Sequence, residues 1–274
     1  MGLIPSFLKG KTYYTKEGPG VSKNGPQKKK FILFFEQFFA NFGKLIISGL
    51  FTTAFTLPIV TLGLGSVGIT NISRNIYCGR HSFGVSDYME TIKKNWKQAL
   101  VVGIINTIVM ALLAWDIHYF GTIVKDNNDT FSSVALGMCI FIFATFAMMK
   151  YYVWVLMITF KYTIKKIYKN SFKFVFLNFP KSLFVGICSI VAYGLAFLLF
   201  WYGGSFGLAI VVALAFTVWP PLKALLIQYC VFDSIKKIII DPYYNEHPDE
   251  DIELRKSMGF LSDDEEESVF EDAE

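Results

Sequence analysis

The chain has 274 residues, of which 53% are hydrophobic. Several of its apolar runs approach the ~20 residues that a helix needs to cross a bilayer. This pattern excludes a soluble globular protein and predicts a polytopic, all-α membrane protein. Charge is segregated: residues 1–240 contain 24 basic and 8 acidic residues, a formal +16, whereas residues 241–274 contain 2 basic and 14 acidic residues, a formal −12. Because the basic residues flank the apolar runs, the headgroups of anionic membrane lipids explain them better than binding to nucleic acid does.

The N-terminal part of the chain predicts an irregular segment followed by an interfacial helix. Residues 1–27 are polar, basic and punctuated by glycine and proline, which is typical of irregular structure. From residue 28 onward, six phenylalanines follow helical spacing and end at Phe42, so we expect a helix in the membrane interface with its lysines at the headgroups. A first membrane span should follow, and Pro58 should interrupt the chain after it.

The rest of the chain alternates amphipathic and apolar stretches. The six predicted spans cover residues 44–57, 64–80, 99–119, 132–160, 182–202 and 206–232. The second is polar for a lipid-facing helix, so we expect neighbouring helices to shield it with small residues at the contacts. Gly203-Gly204 predicts a tight turn and Pro220-Pro221 a kink. Residues 28–240 are the predicted six-span transmembrane domain. Residues 241–274 are an acidic cytosolic tail that we expect to be disordered.

A short signature opens the first, third and fifth spans. It reads Asn, an aromatic residue, any residue, Lys or Gln, and then Gly eight residues after the Asn. The three copies pair Asn41 with Gly49, Asn95 with Gly103, and Asn178 with Gly186. Since each copy follows an amphipathic stretch, we predict three repeated helical hairpins, each preceded by a cytosolic interfacial helix. We expect the asparagines to cap the spanning helices and the glycines to lie at helix contacts.

The distribution of lysine and arginine predicts the orientation of the chain. Basic residues cluster before residue 31, at 80–98, at 161–181 and at Lys236-Lys237, whereas the intervening turns carry only Lys125. Cytosolic loops of membrane proteins are enriched in basic residues. The pattern therefore predicts six spans in the cell membrane, with both termini in the cytosol.

Ionisable residues within the predicted spans are the candidates for a functional site, because charge inside a bilayer is expensive. We predict a polar cavity formed by Asn71, Arg74, Lys150 and Lys223, which would favour an anionic or polyhydroxyl ligand. The alternative is that these cations snorkel to the interface or form internal ion pairs.

The chain carries no recognisable catalytic signature. It has no phosphate-binding loop, no HExxH, no GxSxG and no paired carboxylates within a span. Gly63-Leu64-Gly65-Ser66-Val67-Gly68 fits GxGxxG, but no strand precedes it, so we interpret it as a helix-packing motif. The histidines and cysteines are too scattered to form a metal site. We therefore predict no enzymatic activity, no cofactor and no metal.

Several segments resemble the YesL-like family of bacterial membrane proteins. The segments that carry this resemblance are Leu57-Pro58-Ile59-Val60-Thr61-Leu62-Gly63, Cys78-Gly79-Arg80, Lys94-Asn95-Trp96-Lys97-Gln98-Ala99-Leu100, Tyr152-Val153-Trp154 and Asn178-Phe179-Pro180-Lys181. The resemblance covers roughly residues 30–235 and transfers no catalytic residues. Where the family usually has acidic residues after the Gly-Arg pair, this chain has His81-Ser82.

Members of that family often accompany importers and enzymes for plant or host polysaccharides. The resemblance therefore implies an integral membrane accessory protein of an ATP-driven carbohydrate (oligosaccharide) importer, bound to its permease subunits. The alternative is an independent small-molecule transporter or a lipid-handling membrane protein with a cationic polar cavity. A membrane-embedded enzyme ranks last, because no nucleophile or acid/base pair is visible.

Overall fold

The computed structural model describes residues 29–80, 82–127 and 129–246; the predicted N-terminal segment and most of the predicted tail lie outside these residues. The described chain is helical, without a strand. Its α-helices are α1 (Lys30–Ala40), α2 (Phe42–Thr56), α3 (Leu62–Tyr77), α4 (Val85–Asn127), α5 (Thr130–Thr159), α6 (Ile164–Leu177), α7 (Phe179–Thr217), α8 (Trp219–Ile227), α9 (Asp233–Ile235) and α10 (Asp241–Glu246). Two π-helical stretches, Gln228–Phe232 and Lys236–Ile240, join the last three into one continuous run, here called the C-terminal helix.

The long helices are those of a membrane protein. By length and composition, α4, α5 and α7 can each cross a membrane, and α1 and α2, which meet at an angle of 77°, qualify together as a fourth crossing element. The all-α class is thereby confirmed, and the three long apolar helices fit a membrane helical bundle. The C-terminal helix continues to Glu246, six residues into the segment predicted as tail.

Proline ends two of the helices where the sequence predicted a break. α2 stops at Thr56. Leu57 keeps helical angles (φ −56°, ψ −49°), and the chain leaves the helical conformation at Pro58 itself, which is extended with ψ 108°. A short 3-10 turn at Ile59–Thr61 then leads into α3. α7 stops at Thr217, just ahead of the two prolines in the first turn of α8. The predicted interruption at Pro58 is confirmed, and a helix boundary lies at the position of the predicted kink.

The chain reverses direction inside α7, at the predicted glycine turn. Gly204 has φ +54° and ψ −138°, a conformation that is open to glycine and strained for other residues. Past this point the two arms of α7 lie against each other: a Cβ added to Gly207 would lie 2.1 Å from the Leu199 carbonyl oxygen. The Trp219 indole also donates to the Tyr193 hydroxyl at 3.3 Å, although a straight helix would separate these residues by about 39 Å.

The second predicted interfacial helix is not a separate element. α4 runs without a break through Asn95, whereas helices end and begin again at Asn41 and at Asn178. The difference follows from the next residues in the chain. Gly43 follows Asn41 and Pro180 follows Asn178, whereas residues 96–99 contain neither breaker and favour continuous helix. In the second unit the amphipathic segment and the span are thus one helix.

The polar helix α3 is buried, as expected. Three of its glycines each allow a different residue of a neighbouring helix to approach its backbone closely. A Cβ on Gly63 would lie 2.0 Å from the Ala99 carbonyl oxygen on α4, and one on Gly65 would lie 3.0 Å from the Thr52 carbonyl oxygen on α2. A Cβ on Gly68 would lie 2.5 Å from the ring of Tyr88. The GxGxxG sequence is therefore a packing motif, as predicted.

Buried side chains concentrate at one end of the bundle. One cluster joins α2, α3, α4 and α5, and a second joins α5, α6, the start of α7 and the C-terminal helix. Away from this end little is buried: among the described residues between 107 and 148, only Ser132 is. The distal halves of α4, α5 and α7 thus present apolar surface outward, which suits a lipid or protein environment within a membrane.

Candidate functional site

A buried carboxylate in the C-terminal helix gathers three lysines from distant parts of the chain. Asp233 is 5% exposed, and its Oδ1 atom lies 2.5 Å from Lys30 Nζ at the start of α1. Its Oδ2 atom lies 3.2 Å from Lys181 Nζ in the first turn of α7 and 3.7 Å from Lys237 Nζ, one turn further along its own helix. We call Lys30, Lys181 and Lys237 the lysine triad.

Neutral groups complete this cluster. The Tyr77 hydroxyl, at the end of α3, donates to Asp233 Oδ1 at 3.2 Å. Lys181 Nζ also donates to Ser234 Oγ at 2.7 Å. Together, these bonds tie the ends of α1, α3 and α7 to the C-terminal helix. A buried carboxylate needs such partners, because an unpaired buried charge is strongly unfavourable.

The cluster carries excess positive charge. Burial raises the pKa of Asp233, but the hydrogen bonds and charges of Lys30 and Lys181 outweigh burial and hold the pKa below its usual value. Asp233 is therefore ionised, and the three ammonium groups leave a formal excess of two positive charges. The triad side chains are 57%, 42% and 61% exposed, so the amines remain open to an anion from outside.

An apolar groove of about 770 Å³ extends from the lysine triad. Its walls come from α1, α7 and the C-terminal helix, and they are lined largely by aromatic and aliphatic side chains. Representative wall residues are Phe31, Phe35, Phe184, Val191, Leu195 and Leu222. The charged groups lie mainly at one end of the groove, and the rest of its length is largely apolar.

The backbone around Asp233 is unusual. π-helical turns at Gln228–Phe232 and Lys236–Ile240 flank the single α-helical turn that holds the carboxylate. π-helical turns are rare in proteins overall, but those that occur are often at functional sites. The extra residue in such a turn changes the direction of the neighbouring side chains. Gln228 is fully buried, and its Nε2 atom donates to the Thr70 carbonyl at 3.3 Å.

Two of the four predicted cavity residues, Asn71 and Arg74, form a pair on α3. Arg74 Nη2 donates to Asn71 Oδ1 at 3.0 Å, and Nη1 donates to the Ile158 carbonyl at 3.2 Å and to Thr159 Oγ1 at 3.4 Å. These acceptors lie at the end of α5, where helix carbonyls lack partners within the helix. Arg74 therefore closes the C-terminus of α5, where a cation is also favoured by the helix dipole.

The other two predicted cavity residues, Lys150 and Lys223, lie near each other on α5 and α8. They are close enough to interact electrostatically, and Lys223 Nζ stands 5.5 Å from the centre of the Tyr151 ring. Lys150 is eight residues, or about 12 Å of helix, from the carbonyl that Arg74 contacts. The structure thus forms two pairs in place of one four-residue site, and of the four only Lys223 lines the groove.

The signature asparagines do not cap the spanning helices, and that expectation is wrong. The side chains of Asn41 and Asn178 make no capping bond at the starts of α2 and α7. Asn41 and Asn95 instead donate backward, each through Nδ2 to the carbonyl four residues earlier, on Gln37 and Thr91. The Asn41 amide thus binds the last turn of α1, and the Asn95 amide binds the preceding turn of α4.

Two of the three signature glycines lie at helix contacts, as expected. A Cβ on Gly49 would lie 2.2 Å from the Thr217 carbonyl oxygen, and one on Gly103 would lie 2.8 Å from the Gly63 nitrogen. For Gly186 the expectation is wrong, because no neighbouring atom of the described chain lies within 4 Å of its Cβ position. No other helix of the described chain packs closely against α7 at Gly186, so this glycine faces open space.

Sequence reasoning missed the cluster around Asp233. Neither Asp233, nor Tyr77, nor any member of the lysine triad was among the predicted cavity residues. A usable signal was present, since Asp233 is the only acidic residue in the largely apolar stretch from 219 to 240. Which lysines reach it depends on how the four helix ends pack.

Comparisons with protein-family models, with curated proteins and with solved structures found no match for this chain. Within the described residues, no group of three His, Cys, Asp or Glu side chains is placed to hold a metal ion.

Proposed function

We propose that the chain crosses the membrane six times, as three helical hairpins with both termini in the cytosol. Four features support this topology. α7 reverses at Gly204, so its arms count as separate crossings, and α2 is separated from α3 at Pro58. The consecutive helices α4 and α5 pack against each other. The lysine triad gathers at the opposite end from Lys125, in agreement with the positive-inside rule.

Within this topology, the chain acts as a non-catalytic accessory protein of an ATP-driven carbohydrate importer and binds its permease subunits. One observation carries the proposal: the most apolar windows of α4, α5 and α7 bury only 17%, 6% and 11% of their residues inside the chain. Helices that pack so little against their own chain have faces available to other membrane subunits. The family resemblance supplies the class of partner.

The cytosolic ends offer a second contact surface. α6 buries Ile167, Ser171, Phe174 and Val175 against the bundle, and its exposed face carries lysines. A basic face of this kind suits an acidic surface on a partner. The amphipathic start of α4, residues 85–97, extends the same side of the protein.

Genetics and gentle purification test the accessory role together. Deleting the gene should reduce uptake of one oligosaccharide and leave unrelated sugars unaffected, and permease subunits should copurify with the chain from native membranes. Deleting only residues 249–274 should have a smaller effect, because a strongly acidic segment with few apolar residues can bury little surface against a partner. Normal uptake in the full deletion, with no permease recovered, would reject the accessory role.

An independent transporter or lipid-handling protein is the second candidate. The observation in its favour is the groove of about 770 Å³ beside the lysine triad, which offers a site to an amphiphilic molecule. Rejection of the accessory role would promote this candidate.

A further inference from the structure

The groove beside Asp233 has the dimensions of a lipid site. From Lys181 to Leu195 its α7 wall is 14 residues long, or about 21 Å of helix. One leaflet of a bilayer has a hydrocarbon depth of about 15 Å, half of the core. The groove is therefore long enough to accept an acyl chain across its leaflet.

Charge is concentrated at one end of this length. The triad faces the groove mouth together with Asp233, and three ammonium groups against one carboxylate leave the mouth cationic. An ammonium group has three donor hydrogens, and Lys30 uses one of them on Asp233, so donors remain for a ligand. The deeper Lys223 holds its amine over the Tyr151 ring on α5.

We infer that the groove holds an anionic phospholipid, with the phosphate at the lysine triad and one acyl chain along the wall of α7 and the C-terminal helix. This inference does not rest on association with an importer. With the cytosolic termini proposed above, the triad lies at the inner leaflet, where anionic lipids are attracted to basic residues.

The chemistry of the groove favours lipid over other occupants. The chain's own acidic segment, residues 247–274, complements the triad in charge, but it is too polar to cover an apolar wall. The segment before residue 29 is basic and repels the triad. An extended peptide would leave its backbone polar groups without partners against aromatic and aliphatic side chains, which is costly in a membrane.

Native mass spectrometry of the purified full chain tests the inference directly. Phosphatidylglycerol and phosphatidylcholine with identical acyl chains are compared by their dissociation constants. We expect phosphatidylglycerol to bind at least about tenfold more tightly. Lys30→Gln, Lys181→Gln and Lys237→Gln should each weaken its binding about fivefold, the effect of one basic residue at a membrane surface. Phosphatidylcholine binding should not change in these variants.

Matched controls separate the headgroup from the chain. Lys166→Gln and Lys169→Gln, on the exposed face of α6, should leave both affinities unchanged. Ala192→Phe fills the groove and should weaken both lipids, whereas Ala209→Phe, on an exposed part of α7, should weaken neither. Each variant must elute from gel filtration as the parent protein does. Lys237→Gln removes the longest of the three contacts with Asp233, so it disturbs the fold least and tests the triad even if the other two variants unfold.

Four results would overturn the inference. The first is equal affinity for the two lipids, and the second is equal loss in the triad and α6 variants. Displacement of the lipid by excess glycerol phosphate would assign the triad to a free phosphate. A preference for phosphatidylglycerol that arises only after deletion of residues 247–274 would make the acidic tail the occupant.

Discussion

Gly63 on α3 and Gly103 on α4 are in backbone contact, so that a Cβ on Gly103 would lie 2.9 Å from the Gly63 Cα atom. Neither residue has a side chain to hold the helices apart, so the backbones of α3 and α4 touch at this crossing. In a membrane, where lipid tails are as apolar as leucine, such close packing is a main source of helix association. The crossing fixes the polar helix α3 in the centre of the bundle.

Alanine substitutions at two signature glycines should have opposite effects. Gly103→Ala forces α3 and α4 apart and should destabilise the fold by about 1–3 kcal/mol. Gly186→Ala meets no neighbour within 4 Å and should be neutral or stabilising by up to about 1 kcal/mol, the gain in helix propensity. Thermal unfolding in detergent measures both. Equal destabilisation by the two changes would contradict the Gly63–Gly103 crossing.

Asp233→Asn should loosen α1 and the start of α7, because it leaves the lysine triad without its carboxylate. We expect a loss of about 1.5–3 kcal/mol at pH 7, the range for hydrogen bonds to a charged group. Asp116→Asn is the matched control, since Asp116 forms no ion pair in the described part of the chain. Chemical denaturation of both variants gives the comparison, and equal losses would remove the structural role of Asp233.

The contribution of Asp233 should also depend on pH. Its pKa in the folded chain is lowered, so the ionised form is favoured by folding. The stabilisation is complete above the unfolded pKa of about 3.9 and is lost as pH falls through the lower folded pKa. Denaturation curves between pH 7 and pH 2 should therefore fall more steeply for the parent protein than for Asp233→Asn. Parallel curves would show that the carboxylate is not paired.

Arg74→Lys should destabilise the end of α5. An ammonium cannot span Asn71, Ile158 and Thr159 as the planar guanidinium does, and it should lose about 1–2 kcal/mol of hydrogen bonding. Lys94→Gln removes an ion pair with Glu90 that is exposed to solvent, and it should leave the stability nearly unchanged. Hydrogen exchange at the end of α5 should rise only in Arg74→Lys, and unchanged exchange there would contradict the capping role.

The proposed topology predicts opposite locations for two reporters. A reporter inserted at Asn128, between α4 and α5, should lie outside the cytosol, whereas one fused after Glu274 should lie inside it. The reason is the lysine triad, which would otherwise face the compartment that basic loops avoid. Alkaline phosphatase and green fluorescent protein fusions read the two sides independently. Both reporters on one side would contradict the six-span count.

Patterns of hydrophobicity and local breakers predicted much of the helical framework. The spans at 132–160 and 64–80 correspond closely to α5 and α3, and the breaks at Pro58, Gly204 and Pro220 follow from backbone chemistry that acts within a few residues. The burial of α3 was also predictable, because its polar residues are unfavourable against lipid. These features depend on near neighbours in the chain, so the sequence by itself determined them.

Tertiary packing decided which distant groups meet. Lys30 and Asp233 are separated by 203 positions in the chain, and no local rule relates them. Gly103 and Gly186 occupy the same place in the signature, yet only Gly103 has a helix against it. The outcome at each position depends on which helix face lies opposite, and that is set by the joint packing of α1, α3, α7 and the C-terminal helix. Short-range patterns repeat along a chain, but the neighbours that give each copy its role are chosen by the fold.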